Sequence, residues 1–144
     1  MQLRDAAGNT LASAASDSIT LDMTAPSTPS INIASGAAYT NTASVALTLS
    51  ATGADTMKLS NCPGFDASGC NTTTTAYATS YSSWPLPSGD GLKTVYVQFL
   101  DNAGNSSSVA SDTIGLDTAA PSSVSVVIAS GATATATDTV TLTI

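Results

Sequence analysis

SDSITLDMTAPS at Ser16–Ser27 returns as SDTIGLDTAAPS at Ser111–Ser122, and this return decides how the chain reads. A second pair follows it. IASGAAYTNTASVALTL at Ile33–Leu49 reappears as IASGATATATDTVTLTI at Ile128–Ile144. Both pairs are displaced by 95 residues, since 111 − 16 and 128 − 33 agree. Upstream, QLRDAAGN at Gln2–Asn9 matches QFLDNAGN at Gln98–Asn105 with a displacement of 96, so the first copy has gained one residue in the loop that follows. Order and spacing agree throughout, which is the mark of a repeat architecture.

A period of this size suits a seven-stranded β-sandwich, which uses about 100 residues. The chain then divides into the C-terminal strands of one repeat (1–22), a linker (23–26), one complete repeat (27–117), a second linker (118–121) and the N-terminal strands of a third repeat (122–144). Met1 stands where Val97 stands in the complete copy and reads as an ordinary strand residue.

Within 27–117, alternation picks out the strands. Ile31 and Ile33 mark the first, and Val45, Leu47 and Leu49 share one face of the second. Met57 and Leu59 mark a third; the threonines after Cys70 predict a short edge strand. Trp84 with Leu86, then Val95, Val97 and Phe99, then Ile114 with Leu116 complete the set, with Trp84 as the largest core member. No helical periodicity occurs. The expectation is an all-β, immunoglobulin-like sandwich in tandem repeats of about 95 residues.

Composition agrees. Only 9% of the 144 residues are charged while 42% are hydrophobic, and all ten acidic residues are Asp. Asp favours turns and caps, whereas the Thr and Val content suits pleated, half-buried strands. The net charge of −7 includes three basic residues, Arg4, Lys58 and Lys93, so no phosphate-binding patch can form and no nucleic-acid partner is expected. No apolar run has transmembrane length, and no membrane insertion is expected of this segment. Histidine is absent, which removes Ser-His-Asp and Cys-His nucleophiles. Asp66 and Asp90 are loop carboxylates that nothing places opposite each other. The chain reads as non-enzymatic.

Asp101-Asn102-Ala103-Gly104-Asn105, and Asp5-Ala6-Ala7-Gly8-Asn9 before it, read as type I turns closed by a left-handed glycine. DxAGN, followed by S-D-x-I-x-L-D and T-A-P, resembles the bacterial immunoglobulin-like repeats of large surface adhesins and other long secreted proteins. The resemblance covers essentially the whole chain. It implies an extracellular or cell-surface rod of stacked domains, often stiffened by calcium, whose partners are neighbouring repeats of the same chain or of adjacent filament subunits.

Three sites follow from the residues. Cys62 and Cys70, if bridged, would pin a loop of about nine residues, worth ~2–3 kcal/mol, and would place the chain in an oxidising compartment; free thiols are the alternative. Asp22, Asp55, Asp101 and Asn105 are expected to converge where one repeat enters the next, with Asp117 repeating the part of Asp22 at the following junction. Hard oxygen donors of this kind suit calcium, although each Asp is equally explained by a turn. Finally, Tyr77, Tyr81 or Trp84 beside the cysteine loop would give contacts to a host-cell or surface glycan, as in a carbohydrate-binding accessory module; the other reading has these rings covering the sandwich edge.

Overall fold

The computed structural model describes residues 3–10, 13, 16–66 and 68–144, and is all-β. Its strands are β1 (Ser27–Ile33), β2 (Tyr39–Thr40), β3 (Ser44–Thr52), β4 (Thr56–Ser60), β5 (Thr72–Ala76), β6 (Ser80–Pro85), β7 (Gly91–Leu100), β8 (Ala110–Leu116), β9 (Val127–Ile128) and β10 (Leu142–Thr143). They form a three-stranded antiparallel sheet β1-β3-β6, a five-stranded sheet β2-β8-β7-β4-β5, and a separate β9-β10 pair. The β2–β8 pairing is parallel and the rest of the five-stranded sheet is antiparallel.

Every strand expected between residues 27 and 117 forms, and the alternation resolves as anticipated. Val45, Leu47 and Leu49 on β3 and Val95, Val97 and Phe99 on β7 are buried. They share one apolar cluster with Ile33, Met57, Leu59, Trp84, Leu86 and Ile114, so the two larger sheets close on a single core. Each such side chain contributes about 1.5–3 kcal/mol on burial. Trp84 is the largest fully buried residue, and its indole Nε1 donates to Asn61 Oδ1 at 2.8 Å. That bond removes the cost of a buried unpaired donor. The threonine segment takes the edge position beyond β4, as its composition predicts.

β2 is absent from the alternation reading, and it marks a change of sheet. β1 pairs with β3, whereas β2, a few residues later, pairs with β8 in the other sheet. The chain turns between them at Ala34–Gly36, where Ala34 (φ 46°), Ser35 (φ 57°) and Gly36 (φ 84°) are all left-handed. For non-glycine residues that conformation costs about 1–2 kcal/mol each. A carboxylate holds the corner: Asp112 Oδ2 on β8 accepts the Ile33 N–H at 2.8 Å, while its Oδ1 accepts the Thr113 N–H at 2.8 Å. The Asp of the S-D-x-I motif therefore fastens the end of β1 to the opposite sheet.

Outside 27–117 the local geometry recurs at the sequence spacing. Ala129 (φ 49°), Ser130 (φ 54°) and Gly131 (φ 83°) repeat the corner. The Ile33↔Leu47 pairing reappears as Ile128↔Leu142. The Thr42 hydroxyl donates to the Ser44 carbonyl and accepts from the Thr40 hydroxyl, and this recurs at Thr137, which donates to the Thr139 carbonyl and accepts from Thr135. What does not recur is burial. Ile114 and Leu116 are 0% and 3% exposed, but their counterparts Ile19 and Leu21 are 98% and 82% exposed. Residues 16–26 form no ladder. Met1, together with positions 2, 11, 12, 14, 15 and 67, lies outside the described residues.

Replacing Asp112 should weaken the corner without emptying the core. Asp112→Ala is expected to cost about 1–3 kcal/mol in urea denaturation, the range for a charge-assisted hydrogen bond. Asp112→Asn, which keeps one acceptor oxygen, should recover part of the loss.

Candidate functional site

The DxAGN turns are built alike in both copies. Asp101 Oδ1 accepts the Asn105 N–H at 2.8 Å and Oδ2 accepts Asn105 Nδ2 at 2.8 Å. Asp5 does the same toward Asn9 at 2.9 and 2.8 Å. Gly104 (φ 91°) and Gly8 (φ 87°) carry the left-handed position, where a side chain would be strained. The carboxyls of Asp101 and Asp5 are held below the ordinary value of 3.8, chiefly by the side-chain bond from the partner asparagine.

Around the Asp101 turn the structure gathers the four residues expected at the entry junction. Asp22, Asp55 and Asp101 line one open surface pocket of about 400 Å³. Asn105 Nδ2, besides bonding Asp101, donates to the Asp22 carbonyl at 3.1 Å. Asp55 Oδ2 accepts the Asn102 N–H at 2.9 Å, and Asp22 Oδ1 accepts the Thr24 N–H at 2.9 Å. The asparagine that completes the turn thus also grips the last residue before the incoming linker.

These contacts bear on calcium. Asp101 has both oxygens engaged by N–H donors and Asp22 and Asp55 have one each; Asp22 and Asp101 bond within their own turns, whereas Asp55 reaches across to the Asp101 turn. Among the described residues no three His, Cys, Asp or Glu side chains gather closely enough to hold one metal ion. The convergence of Asp22, Asp55, Asp101 and Asn105 is a hydrogen-bonded joint. Asp117 repeats Asp22 in form: its Oδ1 accepts the Ala119 N–H at 3.0 Å.

At the opposite end a different carboxylate holds the outgoing linker. Asp90 Oδ1 accepts both the backbone N–H of Thr118 at 3.0 Å and its hydroxyl at 2.7 Å. These bonds hold the Asp90 carboxyl below its ordinary range, with the hydroxyl contact the larger cause. Sequence reading placed Asp90 in a loop and gave it no part. Its partner is 28 residues away, and no local pattern announces it.

Cys62 and Cys70 form a disulfide with their Cα atoms 5.9 Å apart. It closes the connection from β4 to the edge strand β5. The expected glycan contacts are otherwise occupied. Trp84 is 1% exposed and belongs to the core. Tyr77 accepts the Ala51 N–H through its hydroxyl at 3.2 Å and meets Phe99 edge to face at 5.6 Å. Tyr81 meets Trp84 in the same manner at 5.8 Å. Both tyrosines are half-buried and cover the sheet edge.

Two outcomes follow. Asp90→Ala should leave the core intact but free the linker: the amide order parameter at Thr118, measured by ¹⁵N relaxation, is expected to fall from about 0.85 toward 0.6. Because the folded-state pKa values of Asp5, Asp90 and Asp101 are depressed, their contacts contribute fully above pH 3.8 and are lost as pH falls through the lower folded values. An acid titration followed by NMR should therefore show the Asn9, Asn105 and Thr118 amides shifting only below that pH. No protein-family model matches this chain, and no curated protein matches its sequence.

Proposed function

We propose that this chain is a section of an extracellular stalk, adhesin or filament at a bacterial surface, built from immunoglobulin-like β-sandwich repeats of about 95 residues. Its role in this reading is to space and carry, not to catalyse. The unit 27–117 is one complete sandwich, and 1–22 and 122–144 are parts of its neighbours across the linkers 23–26 and 118–121.

The observation that carries the reading is the pair of linker clamps. Asn105 grips the Asp22 carbonyl at one end of the unit and Asp90 grips Thr118 at the other. A domain that works alone has no need to fasten both of its flanking segments. Pro26 and Pro121 add to the effect, since proline fixes φ and extends the residue before it. Clamped, proline-limited links transmit orientation from one unit to the next, which a spacer requires. The Cys62–Cys70 disulfide supports an oxidising compartment. The partners in this reading are neighbouring repeats, in the same polypeptide or in adjacent filament subunits.

The denatured mass of the native material tests the proposal. A species of hundreds of kilodaltons is expected for a covalent array, and small-angle scattering from it should give a length that grows in equal steps with the number of units. A species near the 14.2 kDa of this chain that joins no higher assembly under native conditions would overturn it.

A further inference from the structure

Between β2 and β8, Tyr39 meets Gly115 in a contact that is a matter of size. Gly115 lies directly opposite Tyr39 in the parallel register, and a Cβ at Gly115 would stand 2.5 Å from Tyr39 Cδ1 and 2.7 Å from Cε1. The backbone at Gly115 is not left-handed, so glycine is required there for space and not for conformation. Gly115 is buried beneath the ring, while Tyr39 itself is 76% exposed, its other face in solvent. An aromatic laid across a strand glycine is a known way of pinning register.

The neighbouring copies carry different residues at both positions. The counterpart of Gly115, 95 residues earlier, is Thr20; the counterpart of Tyr39, 95 residues later, is Ala134. Everything else about the pairing is indifferent to sequence. It rests on main-chain bonds, among them those from Gly115 N–H to the Ala38 carbonyl and from Asp117 N–H to the Thr40 carbonyl, both 3.0 Å. Any copy of the strand could make them. Near-identical repeats side by side risk exchanging such strands during folding, and specificity is then gained by building a clash against the wrong partner.

We propose that Tyr39 and Gly115 form a size-matched pair by which a unit recognises its own strands and rejects those of its neighbours. Tyr39 fits Gly115 but collides with Thr20, and Ala134 placed on Gly115 leaves the glycine uncovered. The occupant that the pair excludes is a second repeat of the same kind. The inference rests on the tandem-repeat reading of the chain, but its test is separate from the mass measurement above: it reads side-chain coupling and strand choice within this polypeptide.

The test uses the full chain and its Tyr39→Ala, Gly115→Thr and doubly substituted forms. Gly115→Thr should lower the folding equilibrium constant in urea about tenfold more when Tyr39 is present than when residue 39 is Ala, the scale of coupling between contacting residues. Equal effects in the two backgrounds would overturn the proposal. Strand choice is read by Ala134→Tyr, which gives the third copy a ring able to cover Gly115. After refolding, the Gly115 amide should show one NMR resonance in the unaltered chain and two in the variant, the second with contacts to residue 134. A single unshifted resonance in Ala134→Tyr would also overturn it, whatever the coupling.

Discussion

An isoleucine in the context S-D-x-I-x-L-D is fully buried at position 114 and almost fully exposed at position 19. The residues around the two are nearly the same, so the difference is set by what lies across from them. A strand with one apolar face gains nothing until a second layer removes that face from water. Residues 27–117 supply both layers: β1, β3 and β6 on one side, β8, β7 and β4 on the other, with Trp84 and Phe99 among their shared contents. The flanking copies reproduce the corner, the hydroxyl bonds and the turn of the complete unit, because those features close over a few residues. Local geometry is thus repeated where the sequence is repeated, whereas burial differs between the copies.

The fold was largely legible for this reason. Alternation at Val45–Leu49 and Val95–Phe99 is a direct imprint of a sheet with one face on the core, and the structure buries those same residues. β2 left no such imprint. It is two residues long, it is held by main-chain bonds, and Tyr39 faces out. The role of Asp112 was hidden differently. The motif recurs visibly, but an Asp beside a strand reads as a turn residue, and its acceptor contact to Ile33 spans 79 positions.

The candidate site shows a similar division. That Asp22, Asp55, Asp101 and Asn105 would meet followed from the order of the loops, and they do meet. What they do there depended on which N–H groups each carboxylate finds first. Turn amides at 2.8 to 2.9 Å engage oxygens on all three carboxylates and tie them into one hydrogen-bonded joint. The aromatic residues likewise make contacts inside the unit, Tyr77 to Ala51 and Phe99 and Tyr81 to Trp84.

The parallel run of β2 along β8 has a mechanical consequence. The chain enters the unit ahead of β2 and leaves it after β8, so a pull on the two linkers drags these strands in opposite directions along their length. The bonds from Gly115 to Ala38 and from Asp117 to Thr40 are then loaded together, in shear. In the antiparallel β7–β8 pair the same pull on the exit would begin at one end and could unzip the bonds one after another. The β2–β8 main-chain bonds lie on the path by which a pull passed on from β1 reaches the exit strand.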